Sequence, residues 1–210
     1  MRTSVLAGAA AVALLLSGCG SGAATTTAKP AKLVPADGPH PTIADYIRTN
    51  KITEDQIHHG DSGKPKIELP SVDGWKSTGD DNPQWAYDSI IPTGSADGYT
   101  PSVTVLLSKL TGAVDTKALL AAAPGELQNL PDFTATRPGT ANTLNGFPGY
   151  QLAGTWRSDG KTKYVAQQTV VFPANGATYV VQLNTDGPTD QAASLDVVTS
   201  AVDQQTKITL

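Results

Sequence analysis

Residues 150–184 read YQLAGTWRSDGKTKYVAQQTVVFPANGATYVVQLN, and this stretch decides the fold. Large apolar residues at Tyr150, Leu152 and Trp156 alternate with polar ones, and the alternation returns after each break, a period typical of strands. The breaks, Asp159-Gly160 and Asn175-Gly176, are hairpin turn signals. The sequence therefore predicts an antiparallel meander of three strands.

Periodic patterns extend on both sides of the meander. Trp85, Tyr87 and Ser89 alternate with their neighbours and predict a strand over residues 85–90. The other predicted elements are a helix from Ile43, strands over 66–69 and 103–108, a helix after Asp115 with a further turn over 126–130, and a C-terminal helix with the stripe Ala192, Leu195, Val198 and Val202. Six or seven strands with helices before, within and after them predict an α+β domain, a central antiparallel sheet flanked by helices.

The N-terminus predicts export and lipidation. Arg2 precedes an uncharged apolar run, Val5 to Leu16, which is typical of a signal peptide. The run ends in Leu16-Ser17-Gly18-Cys19, a lipobox, and Cys19 is the one cysteine of the chain. We therefore predict a signal peptide over residues 1–18 and a lipid anchor on Cys19 that holds the protein on the extracytoplasmic side of the cell membrane. The alternative is an ordinary secretory signal beside an incidental cysteine.

Residues 19–39 are rich in Gly, Ala, Ser, Thr and Pro, a composition that buries too little apolar area to fold. We predict a flexible tether there, in which Thr25 to Thr27 are candidate acceptors for O-linked sugar. Residues 40–210 then form a single domain. The formal net charge is −4, and the Lys and Arg residues are scattered, which argues against nucleic acid as a partner.

Three short motifs raise the question of catalysis or metal binding. Gly60-Asp61-Ser62-Gly63 resembles the nucleophile segment of chymotrypsin-like proteases, but only about forty residues of the mature chain precede Ser62, too few for that fold. His58-His59 with Asp61 offers metal ligands, although adjacent residues on an extended chain point apart. Asp80-Asp81 is a pair of carboxylates in a polar loop. We predict exposed turns at all three, no metal or cofactor, and no enzymatic activity.

The aromatic residues are the better candidates for binding. Aromatic rings stack on sugars and line acyl-chain pockets, although each ring also serves core packing. We predict a ligand pocket between sheet and helix with the wall residues Trp75, Trp85, Tyr87 and Trp156.

Several segments in order carry a family resemblance: Pro41-Thr42-Ile43-Ala44-Asp45-Tyr46-Ile47, Ile52-Thr53-Glu54, Gly60-Asp61, Ile67-Glu68-Leu69-Pro70, Gly74-Trp75, Ala86-Tyr87-Asp88 and Asn145-Gly146-Phe147-Pro148-Gly149-Tyr150. Through them the chain resembles the LpqN/LpqT lipoproteins of mycobacteria over the whole mature domain. The resemblance implies a PsbP-like sandwich fold and no catalytic set. It also implies a role in the cell envelope, including the handling of trehalose-mycolate glycolipids and contact with lipid exporters and mycolyl transferases.

Two main hypotheses of function follow. In the first, the tethered domain binds an amphipathic ligand, such as a glycolipid, or a partner that handles one. In the second, it is a protein-interaction adaptor that contacts envelope enzymes or, in a pathogen, host proteins through an exposed sheet edge or loops. An envelope hydrolase is a minor third.

The lipid anchor is directly testable. Changing Cys19 to Ala removes the acylated thiol, so the protein should leave the membrane fraction while its far-UV circular dichroism and melting temperature stay those of the delipidated parent. Fractionation of cells expressing either chain measures the change. Retention of the Cys19→Ala chain in membranes would contradict the lipobox interpretation.

Overall fold

The computed structural model describes residues 40–94 and 99–210. The predicted signal peptide, Cys19, the tether and Thr25 to Thr27 all lie outside the described residues. Among the described residues, no helix is both long enough and apolar enough to cross a membrane.

The predicted meander is confirmed as the centre of the sheet. Its strands are β8 (Phe147–Ser158), β9 (Lys161–Ala174) and β10 (Ala177–Pro188), paired antiparallel. Both connecting turns adopt positive φ, at +52° and +74° for Asp159-Gly160 and +49° and +72° for Asn175-Gly176. Asn and Asp tolerate this left-handed conformation and Gly adopts it freely, so these dipeptides fix the register of the three strands.

The remaining strands extend this sheet on both sides. Beside β10 lies β5 (Ser102–Thr111), whose other edge is shared by β4 (Asp88–Pro92) and β1 (Thr53–Gln56), and β3 (Trp75–Ser77) pairs with β4. At the opposite side, β6 (Thr134–Ala135) and β7 (Thr140–Leu144) pair with β8. A separate small sheet joins β2 (Lys66–Glu68) to β11 (Lys207–Thr209).

The strand predicted over residues 85–90 is partly wrong, because β4 begins only at Asp88. Trp85 to Tyr87 instead lie in the segment that precedes this strand. A turn with a hydrogen bond from Ala86 N to Pro83 O at 2.9 Å bends the chain, so the alternation expected between Trp85 and Tyr87 does not apply. The predicted count of six or seven strands is also too low, because the short strands β1, β3, β6, β7 and β11 carry little periodic signal.

One face of the sheet packs against α4 (Ala192–Gln205), and we call it the α4 face. Directly paired residues of neighbouring strands share a face, and here Val105, Leu183 and Gln168 form one such row. The helix buries Leu195, Val198 and Val202, three members of the predicted stripe. The main core lies between them, with Tyr87, Val103, Leu107, Phe172, Tyr179 and Val181 among its members.

The opposite face carries the shorter helices α1 (Ile43–Thr49), α2 (Thr116–Ala122) and α3 (Gly125–Gln128), and we call it the α1 face. Thr42 and Asp45 form a reciprocal capping box at the start of α1. The Asp115 side chain caps α2 by accepting from Lys117 N and Ala118 N. Ile43, Ile47, Leu119, Val171 and Val180 make a second apolar cluster under these helices.

The start of the domain is held by α3. Asn129 accepts from His40 N at 3.2 Å and donates to His40 O at 2.7 Å. Glu126 Oε1 accepts from Ile43 N at 2.9 Å, although only 7% of Glu126 is exposed. A side chain at Gly125 would strike Pro41 O, since its Cβ would lie 2.0 Å away. The chain therefore enters the domain on the α1 face.

Glu126 makes stability depend on pH. Burial raises the pKa of its carboxyl to about 7, against the lowering effect of N–H donors at Ile43 and Ala44. Because this pKa lies above its unfolded value of 4.5, the Glu126 contribution to the unfolding free energy is full below pH 4.5 and falls towards pH 7, by about 3 kcal/mol. Changing Glu126 to Gln keeps the acceptor and removes the charge. Denaturant unfolding from pH 4 to 8 should therefore show that the unfolding free energy of the variant rises relative to that of the parent as the pH increases.

The exposed Glu68 on β2 provides the matched control. Its change to Gln should leave the pH profile parallel to that of the parent. A profile for Glu126→Gln that also runs parallel to the parent would contradict the buried, charge-sensitive position of Glu126.

Candidate functional site

The α1 face is polar along its middle. On β5 and β10, the residues directed to this face include Ser102, Thr104, Ser108, Asn184 and Asp186. The central strands of a sheet covered on both faces are normally apolar on both. Leu106, Ser108 and Asn184 nevertheless stay partly exposed, so no described element covers this part of the sheet fully.

Two adjoining depressions open here, one beside α1 and one beside Trp85, each with a volume of about 20 Å³. They share Leu106 as a common lining residue. We call the joined surface the polar cleft, and its floor and aromatic end consist of Trp85, Ser102, Thr104, Leu106, Ser108, Gln182, Asn184 and Asp186. Ile43, Ala44 and Ile47 of α1, with Glu54 of β1, form its other end.

Hydrogen bonds hold the floor of the polar cleft in place. Gln167 of β9 donates from Nε2 to Asn184 Oδ1 at 2.8 Å, which orients the Asn184 amide. At the aromatic end, Gln56 Nε2 of β1 donates to the backbone oxygen of Trp85. Asn82 donates to Ala86 O at 3.1 Å in the same segment. These contacts fix a partly buried indole beside a row of hydroxyl and amide groups.

A buried charged cluster closes the Trp85 end. Asp186 is 6% exposed and Lys163 5% exposed. Tyr99 donates its hydroxyl proton to Asp186 Oδ2, and Lys163 Nζ lies over the Tyr99 ring, 3.8 Å from its centroid. Burial raises the pKa of Asp186 to about 6, while Tyr99, the Lys163 charge and Trp156 oppose the rise. Lys163 therefore offsets part of the desolvation of a carboxylate at neutral pH.

The four predicted aromatic residues are divided between the two faces. Tyr87 lies in the main core on the α4 face, where its hydroxyl accepts from Ile67 N at 3.2 Å. Trp75 is partly buried and packs against the same core and against the cluster of Tyr164 and Leu195. Trp85 lines the polar cleft on the α1 face, and Trp156 packs beside Leu152 and Val165 on that face. The sheet lies between the pair Tyr87 and Trp75 and the pair Trp85 and Trp156, so the four residues do not line one common pocket.

The other motifs weighed in the sequence lie apart from the polar cleft. His58 N donates to Asp61 Oδ2 at 2.9 Å, and residues 58–63 form an exposed turn. Asp80 and Asp81 occupy an exposed 3₁₀ turn. Among the described residues, no group of three or more His, Cys, Asp or Glu side chains is arranged to hold a metal ion.

Two other depressions are weaker candidates. One, of about 560 Å³, lies open at the β9–β10 turn near Leu210, and its lining includes neither an aromatic ring nor a charged side chain. The other, about 10 Å³, lies under α4 beside Arg137 and Asp203 and has room for one water molecule. Of these depressions, those of the polar cleft combine an aromatic wall with a row of hydrogen-bonding groups.

Sequence reasoning missed the floor of the polar cleft. Gln182, Asn184 and Asp186 alternate with Val181 and Leu183, a pattern that predicts an ordinary solvent-facing side of a strand. The available signal was that β5 and β9 carry the same polar alternation at Ser102, Thr104, Gln167 and Thr169. Only the pairing of the three strands brings these residues together.

The charged cluster predicts a pH-dependent loss of stability. Changing Lys163 to Met leaves the Asp186 carboxylate buried without its cation, so the unfolding free energy should fall by about 3 kcal/mol at pH 8. The loss should shrink at pH 5, because Asp186, with a pKa of about 6, is then largely protonated. Chemical denaturation at both values measures it.

The exposed Lys161 on the same strand supplies the control, and Lys161→Met should be near neutral at both pH values. Adding Asp186→Asn to Lys163→Met should recover much of the loss at pH 8. An equal loss at pH 5 and pH 8 would show instead that Lys163 acts through packing alone.

Comparison with known proteins identifies the family. Residues 39–209 match the family described as "Probable lipoprotein LpqN". The chain is 45% identical over 175 residues to Lipoprotein LpqN of Mycobacterium tuberculosis H37Rv, an alignment that covers 83% of this chain and 76% of that protein.

The solved structure of an LpqN "involved in cell envelope biogenesis of Mycobacterium tuberculosis" is similar to this fold, with a TM-score of 0.77 and 45% identity. The match covers 82% of this chain and all of that one. The α+β architecture predicted from periodicity is shared with it. The chain therefore belongs to the LpqN family of lipoproteins.

Proposed function

We propose that this protein is a lipid-anchored lipoprotein that binds an envelope glycolipid, with the sugar head group in the polar cleft. The observation that carries the proposal is the row of hydrogen-bonding side chains on β5 and β10, partly open and bordered by Trp85. An envelope role is supported by the family, since its Mycobacterium tuberculosis member is described as involved in cell envelope biogenesis.

The chemistry of the polar cleft suits a sugar. Ser102, Thr104 and Ser108 can each donate and accept, and Asn184 offers an oriented amide, so the row matches hydroxyl groups that do both. Trp85 presents an apolar ring on which the C–H face of a pyranose stacks. Binding sites for small molecules commonly combine a few such polar groups with aromatic walls.

The size of the polar cleft favours the head group over the acyl chain. Its two depressions, about 20 Å³ each, accept hydroxyl groups rather than an alkyl chain. Ligand pockets that enclose a drug-sized molecule have volumes of roughly 300–1,000 Å³. The space between α4 and the sheet is filled by the main core. In this proposal the sugar lies over the polar cleft and its acyl chain stays in the membrane or with a partner.

The position of His40, at the start of the domain, fits such a role. His40 is bonded to Asn129 on the α1 face, the same face that carries the polar cleft. A tether of about twenty flexible residues has a mean span of about 25 Å. With an anchor at Cys19 on the extracytoplasmic side, the polar cleft would stay within reach of lipid head groups of the outer leaflet. We propose binding rather than catalysis as the activity.

An adaptor function remains the second candidate, and the free edge of β7 favours it. Among the described strands, β7 pairs only with β8, so the backbone of Thr140–Leu144 offers an edge for a strand of a partner protein. A lipid exporter or a mycolyl transferase would be such a partner. Cross-linking in cells separates the two functions, because an adaptor gives the same partners when Trp85 is changed.

The glycolipid proposal predicts a face-specific effect of tryptophan substitution. Dodecyl maltoside, kept below its critical micelle concentration, should bind the chain Gly20–Leu210 saturably in calorimetric titration. Trp85→Ala removes the stacking ring and should raise the Kd about tenfold, a loss of about 1.4 kcal/mol.

Trp75→Ala is the matched control, since Trp75 is also partly buried but lies on the α4 face. It should lower the melting temperature and leave the Kd within about twofold of the parent, a difference well under 1 kcal/mol. Equal Kd values for the parent and Trp85→Ala would move the sugar site away from the polar cleft. Absence of saturable binding by the parent would remove the ligand-binding function.

A further inference from the structure

Among the described strands that have an unpaired edge, β7 is the one without the usual protection. Exposed edges are normally protected by charged residues, by proline or by being very short. β1 carries Glu54 and Asp55, β3 carries Lys76, and β2 and β11 carry charged residues within three-residue strands. β6 has two residues only. β7, with the sequence TANTL over Thr140–Leu144, has five residues and neither a charge nor a proline.

The turn between β7 and β8 determines which backbone groups of β7 face outwards. The Asn145-Gly146 turn has φ values of +52° and +79°, so Leu144 and Phe147, which close this two-residue turn, form a hydrogen-bonded pair. Hydrogen-bonded and non-bonded pairs alternate along an antiparallel ladder. Ala141 and Thr143 therefore belong to non-bonded pairs, and their N–H and C=O groups point away from β8.

The position of a proline and the exposure of β7 agree with this assignment. Pro148 stands opposite Thr143, at a non-bonded pair, and the ladder between β8 and β9 begins only at Gly149, so the missing N–H of the proline breaks neither ladder. Thr140, Ala141 and Thr143 are exposed, and among the described strands only β8 pairs with β7. The outward groups are thus available to another strand.

We propose that the edge of β7 pairs antiparallel with the edge of β7 in a second copy of this chain. Full overlap of the five residues places Asn142 on the two-fold axis, with Ala141 of each copy opposite Thr143 of the other. Each such pair exchanges both N–H···O bonds, so the outward groups of these residues all gain a partner. One continuous sheet then runs through both copies, and the contact has the commonest symmetry of protein oligomers.

Charge favours a second copy as the occupant of this edge. The chain has a net charge of −4, so two copies repel each other at long range. A contact between copies therefore needs a surface that adds no further repulsion at short range. β7 brings no charged side chain to such a contact.

The orientation of the two copies also fits a membrane protein with one anchor per chain. A two-fold axis through an antiparallel strand pair is perpendicular to the sheet, so the α1 faces of both copies point to the same side. Each chain enters its domain on that face, where His40 is bonded to Asn129. Two copies with the predicted anchors in one membrane can therefore pair without either domain turning over.

The contact is small, so we expect a weak dimer. Stable interfaces usually bury about 1,200–2,000 Å² of surface, more than two five-residue strand edges provide. Lipid anchors would confine the copies to one surface and raise their effective concentration, which lets a weak contact form. This inference does not depend on what the polar cleft binds. It assigns the edge of β7 to a copy of the chain, whereas the adaptor function offers it to a different protein.

The test measures the mass of the chain Gly20–Leu210 by sedimentation equilibrium without detergent, at concentrations up to about 1 mM. The weight-average mass of the parent should rise with concentration towards that of a dimer. The double change Ala141→Lys and Thr143→Lys places lysines of the two copies opposite one another and should lower the association constant at least about tenfold. The double change Ala141→Glu and Thr143→Glu should have the same effect.

A mixture of the double-lysine and double-glutamate chains guards against misfolding as the cause. Each lysine then lies opposite a glutamate of the other chain, so the mixture should associate at least as strongly as the parent. The matched control is Thr53→Lys with Ser77→Lys, which adds the same charges at exposed edge positions of β1 and β3. This control should associate like the parent.

Two results would overturn the inference. A parent that stays monomeric at about 1 mM would leave the edge of β7 to a different protein. A dimer that survives both double changes would show that another surface holds the copies together. Neither result affects the glycolipid function, which the calorimetric titration tests separately.

Discussion

Along β5, β9 and β10, mainly apolar side chains on the α4 face alternate with more polar side chains on the α1 face. The rest of the structure depends on this alternation. Side chains of a strand point alternately to its two faces, and the register between strands aligns them into rows. On the α4 face these rows are mainly apolar and make the main core. On the α1 face they form the polar cleft. A shift of register by one residue would exchange the two faces, so the Asp159-Gly160 and Asn175-Gly176 turns are indispensable to both.

Polar rows in the middle of a sheet are costly unless they are satisfied. Here Gln167 supports Asn184, and Lys163 with Tyr99 supports Asp186. Replacing a buried charged pair by apolar residues of similar shape is often neutral or stabilising, so stability alone does not explain why these groups are present. Their position beside Trp85, on the face where the chain enters the domain, accords with the binding role proposed above.

The central architecture was predictable because its signals are local. The meander, the capped helix α2 and the stripe of α4 follow from alternation, Asn-Gly and Asp-Gly turns, and spacings of three and four residues. The short strands at the sheet margins were not predictable, since three-residue strands such as β3 and β11 carry no usable period.

The site was only partly predictable. Trp85 was singled out as a binding residue, but the bend after Pro83 put it on the face opposite Tyr87. Asp186 and Asn184 gave no local signal beyond an ordinary polar alternation. Their role depends on the pairing of β10 with β5 and β9. The pair Ser102 and Asp186, for example, joins positions more than eighty residues apart in the chain. Long-range register of this kind is not visible in a single segment of sequence.

The most direct measurement is native mass spectrometry of the Cys19→Ala chain, exported with its own signal peptide and purified without detergent from its own cell-envelope background. The account predicts a retained mass that matches a neutral glycolipid and that is lost from a second chain carrying Trp85→Ala as well. A folded domain that carries no ligand, or one that retains the same mass after Trp85→Ala, would contradict the assignment of the polar cleft as a glycolipid site.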